Sequence, residues 1–154
     1  MICNWRRPPM NPTLCSALLG ALLLTGCVTA PEAAPPAVPA GKTVLVPGNA
    51  LYSAAVGYGD TVYLAGVIGR SETGDVSEAA RQAMDAVKGN IEKAGGTMGD
   101  LLKCTIFMTD IEQYGPVNEV YADYFEADPP ARTAIAVSAL PFGALVEVEC
   151  IAAR

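Results

Sequence analysis

Between residues 75 and 96 the apolar side chains fall at Val76, Ala80, Ala83, Met84, Val87, Ile91 and Ala94. That spacing puts them on one face of a helix, and such a face must be covered by something else in the fold. Asp75 and Ser77 are both placed to cap its start. Gly95-Gly96 stops it, because glycine takes the left-handed backbone that ends helices. A second stripe follows at Val117, Val120, Tyr121, Tyr124 and Phe125. It begins after Asp110-x-x-Gln113, which resembles a capping box, with Pro116 in an early turn, and Asp128-Pro129-Pro130 ends it. The remaining runs read as strands at 43–46, 51–56, 61–67, 101–109, 131–139 and 145–152. Turns are expected at 57–60 and 140–143, and a loop at 69–75.

Strands separated by helices predict an α/β chain of the α+β kind, a mixed six-stranded sheet with two helices on one face. Leu102, Cys104, Ile106 and Met108 are expected on one side of their strand. Yet Leu101 to Met108 and Thr133 to Val137 are apolar or small on both sides. A lone copy would expose that surface, so self-association is expected to bury it.

The first 26 residues have a different pattern. Arg6 and Arg7 precede an almost purely apolar run, Leu14 to Thr25, which is too short to span a bilayer. Leu24-Thr25-Gly26-Cys27 then matches a bacterial lipoprotein cleavage site, where small residues enter the peptidase and Cys27 carries the lipid. Residues 1–26 are therefore read as a signal peptide. Residues 27–41 form a lipidated Cys27 and a Pro/Ala-rich tether, and residues 42–154 are the domain. This predicts lipid anchoring in the cell envelope, on the periplasmic side. Val28 rather than Asp after Cys27 permits sorting to the outer membrane of a diderm.

The whole chain of 154 residues carries a formal charge of −6. Loss of Arg6 and Arg7 leaves eight basic against sixteen acidic side chains, or −8. Such a surface disfavours nucleic acid as a partner. The sequence has no histidine, which removes Ser-His and Cys-His catalysis and any His-ligated metal. Five cysteines are present; Cys3 and Cys15 leave with the signal. Cys104 and Cys150 lie in apolar strand-like runs and read as two buried core thiols, with a disulfide left open by an oxidising compartment.

Three segments carry a resemblance. DVSEAARQAMDAVKGNIEKAGGTMGDLLKCTIFMTDI from Asp75, VNEVYADYF from Val117 and PPARTAIAVSALPFGALVEVECIAAR from Pro129 resemble the reactive intermediate deaminase family, RidA/YjgF. The resemblance covers about residues 43–154. It implies a chorismate-mutase-like fold and a homotrimer whose sheets form a central barrel, with a cleft between each pair of subunits. It also implies hydrolysis of 2-imino or 2-enamino acids to 2-oxo acids and ammonia, without a cofactor or metal.

Carried onto this sequence, Arg132 matches the family's substrate-binding arginine, a planar fork suited to a carboxylate. Glu147 matches the acid that positions the attacking water. Asn118 matches the helix-2 asparagine, Tyr52 a cleft tyrosine, and Gly66 a glycine where substrate approaches the backbone. Three positions depart from the family: Ala134, Ala65 and Val67 stand where deaminating members carry Cys, Ser and Gln, so the cleft is less polar. These departures favour, as the alternative, a non-catalytic module that binds small carboxylates in the same trimeric cleft. A ribonuclease or translation inhibitor, also attributed to the family, fits poorly with the acidic charge and the export signal.

Overall fold

Asp75, rather than Ser77, caps the long helix: its carboxylate accepts from the N–H groups of Ser77 at 2.8 Å and Glu78 at 3.4 Å. The structure, a computed structural model, describes residues 41–154. The signal and tether readings, with Cys27, therefore lie outside the described residues. Among the described residues no helix is long and apolar enough to cross a membrane.

The capped helix, α1, runs Val76–Lys93 and buries Val76, Ala79, Ala80, Ala83, Met84, Val87 and Ile91. It ends as expected. Gly95 takes φ 91° and donates to Glu92 O, while Gly96 donates to Ile91 O, both at 3.0 Å. The second helix, α2, is Tyr114–Ala122. A short 3₁₀ turn, Ile111–Gln113, precedes it, and Asp110 accepts from the Glu112 N–H at 3.0 Å.

Among the described residues seven strands, not six, form the sheet: β1 (Lys42–Val46), β2 (Ala55–Tyr58), β3 (Thr61–Leu64), β4 (Val67–Gly69), β5 (Leu101–Met108), β6 (Ala131–Ala136) and β7 (Val146–Ala153). Their order is β1-β2-β3-β7-β5-β6, with β4 also on β7. Only β5 and β6 pair in parallel. The extra strand arises because the expected 61–67 run breaks at Ala65-Gly66. Tyr63 pairs with Ile151, but Val67 pairs with Val148, so one residue is surplus at the break. Such a bulge re-aims side chains and ends one pairing to begin another. The expected strand at 51–56 also shifts to 55–58. Asn49 holds the preceding segment by accepting from the Leu51 N–H at 2.8 Å, which leaves Tyr52 outside the sheet. On β5 the register slips after Leu101, so Leu101 is buried and Leu102, expected on the core side, is exposed.

The core lies between one sheet face and the helices, with Met84 and Ile91 from α1, Ile106 and Met108 from β5, and Val146 and Val148 from β7. Gly69 sets the distance between α1 and the sheet: a Cβ there would overlap the backbone of Ala79. Among the described residues nothing covers the other face. It carries Tyr63 and Ile135 exposed and Phe107 and Ile151 half-buried, beside Thr105, Thr133 and Glu149. It is thus a mixture of apolar and polar groups.

Cys104 and Cys150 are not free thiols. They face each other across β5 and β7, at 0 and 2% exposure, and are joined by a disulfide. The bridge closes a loop over 46 positions that contains α2 and β6. Constraining the unfolded chain in this way is worth about 2–4 kcal/mol. Thermal unfolding of the Cys104→Ala/Cys150→Ala double variant should show a loss of that order. An unchanged Tm would mean that the bridge contributes no stability.

Candidate functional site

Arg132 sits on β6, in register with Cys104 of β5. Cys104 points into the core, so Arg132 leaves the sheet on the helix-covered face. There α2 receives it. The guanidinium carbon stands 4.8 Å from the Tyr121 ring centre and 5.5 Å from that of Tyr114, and Nη2 donates to Tyr114 Oη at 2.9 Å. Two aromatic rings and the Tyr114 hydroxyl thus hold the guanidinium in place. Burial raises the Tyr121 pKa above its usual 10.0, and the nearby Arg132 charge opposes that rise. The phenol therefore stays neutral through the physiological range, and its ring meets the cation as a π-face.

Arg132 lines a cavity of about 350 Å³ with Asn118, Tyr121, Phe125, Pro129 and Pro130. Two polar atoms in this wall, Asn118 Oδ1 and Tyr121 Oη, are buried with no hydrogen-bond partner, and Tyr121 is only 6% exposed. Buried polar groups are almost always paired, so an orphaned couple beside a fixed cation points to a ligand or a neighbouring chain.

Glu147 occupies the opposite face. Val146, Val148 and Cys150 of β7 point into the core, so Glu147 and Glu149 point away from it. The two acids do not share a site. Glu149 pairs with Thr105 and lines a hollow with Lys103 and Tyr63, whereas Glu147 pairs with Ile68 at the rim of a larger cavity. That cavity, about 590 Å³, is walled by Tyr52, Ala65, Gly66, Val67, Pro141 and Phe142 with Glu147. The bulge at Ala65-Gly66 opens it. Gly66 lets the Glu147 carboxylate lie where it does, because a Cβ at this position would push that carboxylate aside. The Gly66→Ala variant should keep its fold by circular dichroism yet displace Glu147, with about a tenfold or greater loss in any activity that depends on it. Full activity would show that the carboxylate's placement is irrelevant.

The residues picked out in the sequence therefore form two groups, Arg132 with Asn118 and Glu147 with Tyr52 and Gly66, on opposite faces of one sheet. Helical spacing already puts Tyr114, Tyr121 and Phe125 near Asn118, but the bond from Arg132 to Tyr114 depends on how β6 meets α2, which no local pattern shows. Among the described residues no cluster of three or more His, Cys, Asp or Glu side chains is arranged to hold a metal.

Among the described residues, a mixed sheet with two helices on one face and an arginine cleft and a carboxylate cleft on its opposite sides define a small α+β chain. The model of the endoribonuclease L-PSP family matches residues 45–154, and the chain belongs to that family, also known as RidA/YjgF. It is 38% identical to the 2-iminobutanoate/2-iminopropanoate deaminase of Rattus norvegicus over 109 residues, which is 67% of this chain and 80% of that protein. It is 37% identical over 107 residues to a RutC family protein of Pyrococcus horikoshii, covering 66% and 85%. The crystal structure of the YjgF gene product from E. coli aligns with a TM-score of 0.65 at 32% identity, over 72% of this chain and 94% of that one. A putative endoribonuclease L-PSP from Entamoeba histolytica aligns with a TM-score of 0.67 at 38% identity, over 74% and 100%.

Proposed function

We propose that this chain hydrolyses small 2-imino and 2-enamino acids to 2-oxo acids and ammonia, in clefts that pair Arg132 of one copy with Glu147 of the next. One observation carries the reading: the cation and the carboxylate stand on opposite faces of the same sheet, so a site that needs both must be built from two copies. The trimer typical of the family supplies such pairs, three per assembly.

In this cleft Arg132 grips the substrate carboxylate through the donors that Tyr114 leaves free. Glu147 holds a water against C2 of the C=N group. Its carboxylate takes a proton from that water as the oxygen adds to C2, then passes the proton to the nitrogen. The resulting carbinolamine gives its hydroxyl proton back through Glu147 to the nitrogen. The C–N bond breaks, ammonia leaves, and the C=O bond of the 2-oxo acid forms. Glu147 ends unprotonated, so the cycle uses only substrate and water. Relatives named 2-iminobutanoate/2-iminopropanoate deaminase support the substrate class.

The test generates 2-iminopropanoate in solution and follows its loss with the purified full-length chain. Acceleration that saturates with substrate is expected. Decay at the blank rate, with the assembly intact, would contradict the proposal. The second reading, a carboxylate-binding module without turnover, is favoured by Ala65 and Val67 beside Glu147 and by Ala134 on the strand of Arg132. It predicts that pyruvate raises Tm while the imine decays at the blank rate.

The place of action proposed is the cell envelope, held to the membrane by lipid on Cys27. The Cys104–Cys150 disulfide supports it, since such bridges persist in oxidising compartments. Metabolic labelling with a fatty acid should mark the wild-type chain and not Cys27→Ala. Equal labelling of both would contradict lipidation at that site.

A further inference from the structure

Phe142 is the least explained residue of the Glu147 cavity. It lies in the turn Pro141–Gly143 between β6 and β7, at φ 55° and ψ 26°, a left-handed conformation that residues bearing a Cβ rarely adopt. Its ring is 83% exposed. A turn that needs two successive left-handed residues favours glycine or asparagine, and Gly143 at φ 70° meets that need. Phe142 does not. Such strain, held at the rim of a cleft, is where ligand clamps are found.

The wall beneath it has the same character. Ala65, Val67, Ile68 and Pro141 present apolar surface, and among the described residues Glu147 is the only charged group lining the cavity. With the carboxylate of a 2-imino acid on Arg132 and its C2 against the Glu147 water, the substituent on C2 meets this wall. Beside Glu147 this wall extends further than a methyl group would cover. A polar or charged substituent would lose its hydration there without gaining a partner.

We infer that the cleft selects 2-imino acids with an aromatic or branched aliphatic side chain, and that Phe142 is the specificity residue covering that side chain. The inference rests on the hydrolase reading for its substrate and on the cavity wall for its preference.

The experiment compares kcat/KM of the full-length chain for the imino acids generated from phenylalanine, leucine and alanine by an amino-acid oxidase. The phenyl and isobutyl substrates are expected to exceed the methyl one by tenfold or more. In Phe142→Ala the phenyl-to-methyl ratio should fall about 10- to 100-fold. A wild-type preference for the methyl substrate, or a Phe142→Ala variant that lowers both rates in proportion, would overturn the inference. So would dissociation of the assembly in Phe142→Ala by light scattering, which would make Phe142 a contact between copies. If no imine is consumed above the blank rate, the hydrolase reading fails and the selectivity is read by calorimetry. Phenylpyruvate should then bind at least tenfold more tightly than pyruvate, and Phe142→Ala should remove the difference. Equal affinities would overturn the inference on that arm as well.

Discussion

Arg132→Ala is expected to lower kcat/KM for imino-acid hydrolysis by about a hundred- to a thousandfold, chiefly through KM. The magnitude follows from losing a charge-assisted, two-pronged carboxylate contact in a partly dry cleft, about 3–4 kcal/mol. Lysine should not replace it. Its ammonium is a point charge, and it could not keep a planar fork placed against the Tyr121 ring and the Tyr114 hydroxyl. Because the guanidinium also packs against α2, circular dichroism and the oligomeric state must accompany the rates. Steady-state kinetics on the folded, assembled variant is the deciding measurement, and a less than fivefold loss would remove Arg132 from the site.

Glu147→Gln should lower kcat by about 10²–10⁴ with a smaller change in KM. Glutamine keeps the shape that packs over Gly66 and keeps an oxygen to hold water, but it cannot take up a proton. The matched control is Glu149→Gln. Both acids lie on the open face of β7 with the same spacing and charge, yet Glu149 looks onto Lys103 and Tyr63 rather than the Glu147 cavity. It should retain most of the activity. Equal losses in the two variants would mean that the strand face acts through net charge and not through one positioned carboxylate.

Much of this was legible in the sequence, for physical reasons that also mark where it was not. The α1 stripe and its Gly95-Gly96 stop rest on local backbone chemistry, and both appear as expected. Arg132 and Glu147 each stand at the wall of a cleft, because the motif around them fixes strand and register together. What escaped the sequence depends on long-range pairing. The break at Ala65-Gly66 needs β7 as a template, and no local signal separates β3 from β4. Leu102 alternated correctly on paper, but a register slip against β7 exposed it. Cys104 and Cys150 read as buried, as they are, but whether they were thiols or a disulfide stayed open until the pairing of β5 with β7 set them face to face. The same limit hid the division of the site, since which face a strand residue takes is decided by its neighbour's register.

That division is the central claim, and mixing two inactive proteins tests it most directly. Arg132→Ala and Glu147→Gln subunits, unfolded together and reassembled, should regain roughly a quarter of wild-type activity, the share of head-to-tail clefts that draw Arg132 from one chain and Glu147 from the other under random assembly. Each variant refolded alone should stay inactive. A mixture that assembles fully and remains as inactive as its parts would contradict the account, because it would place both groups in a single chain's site or show that they never act together.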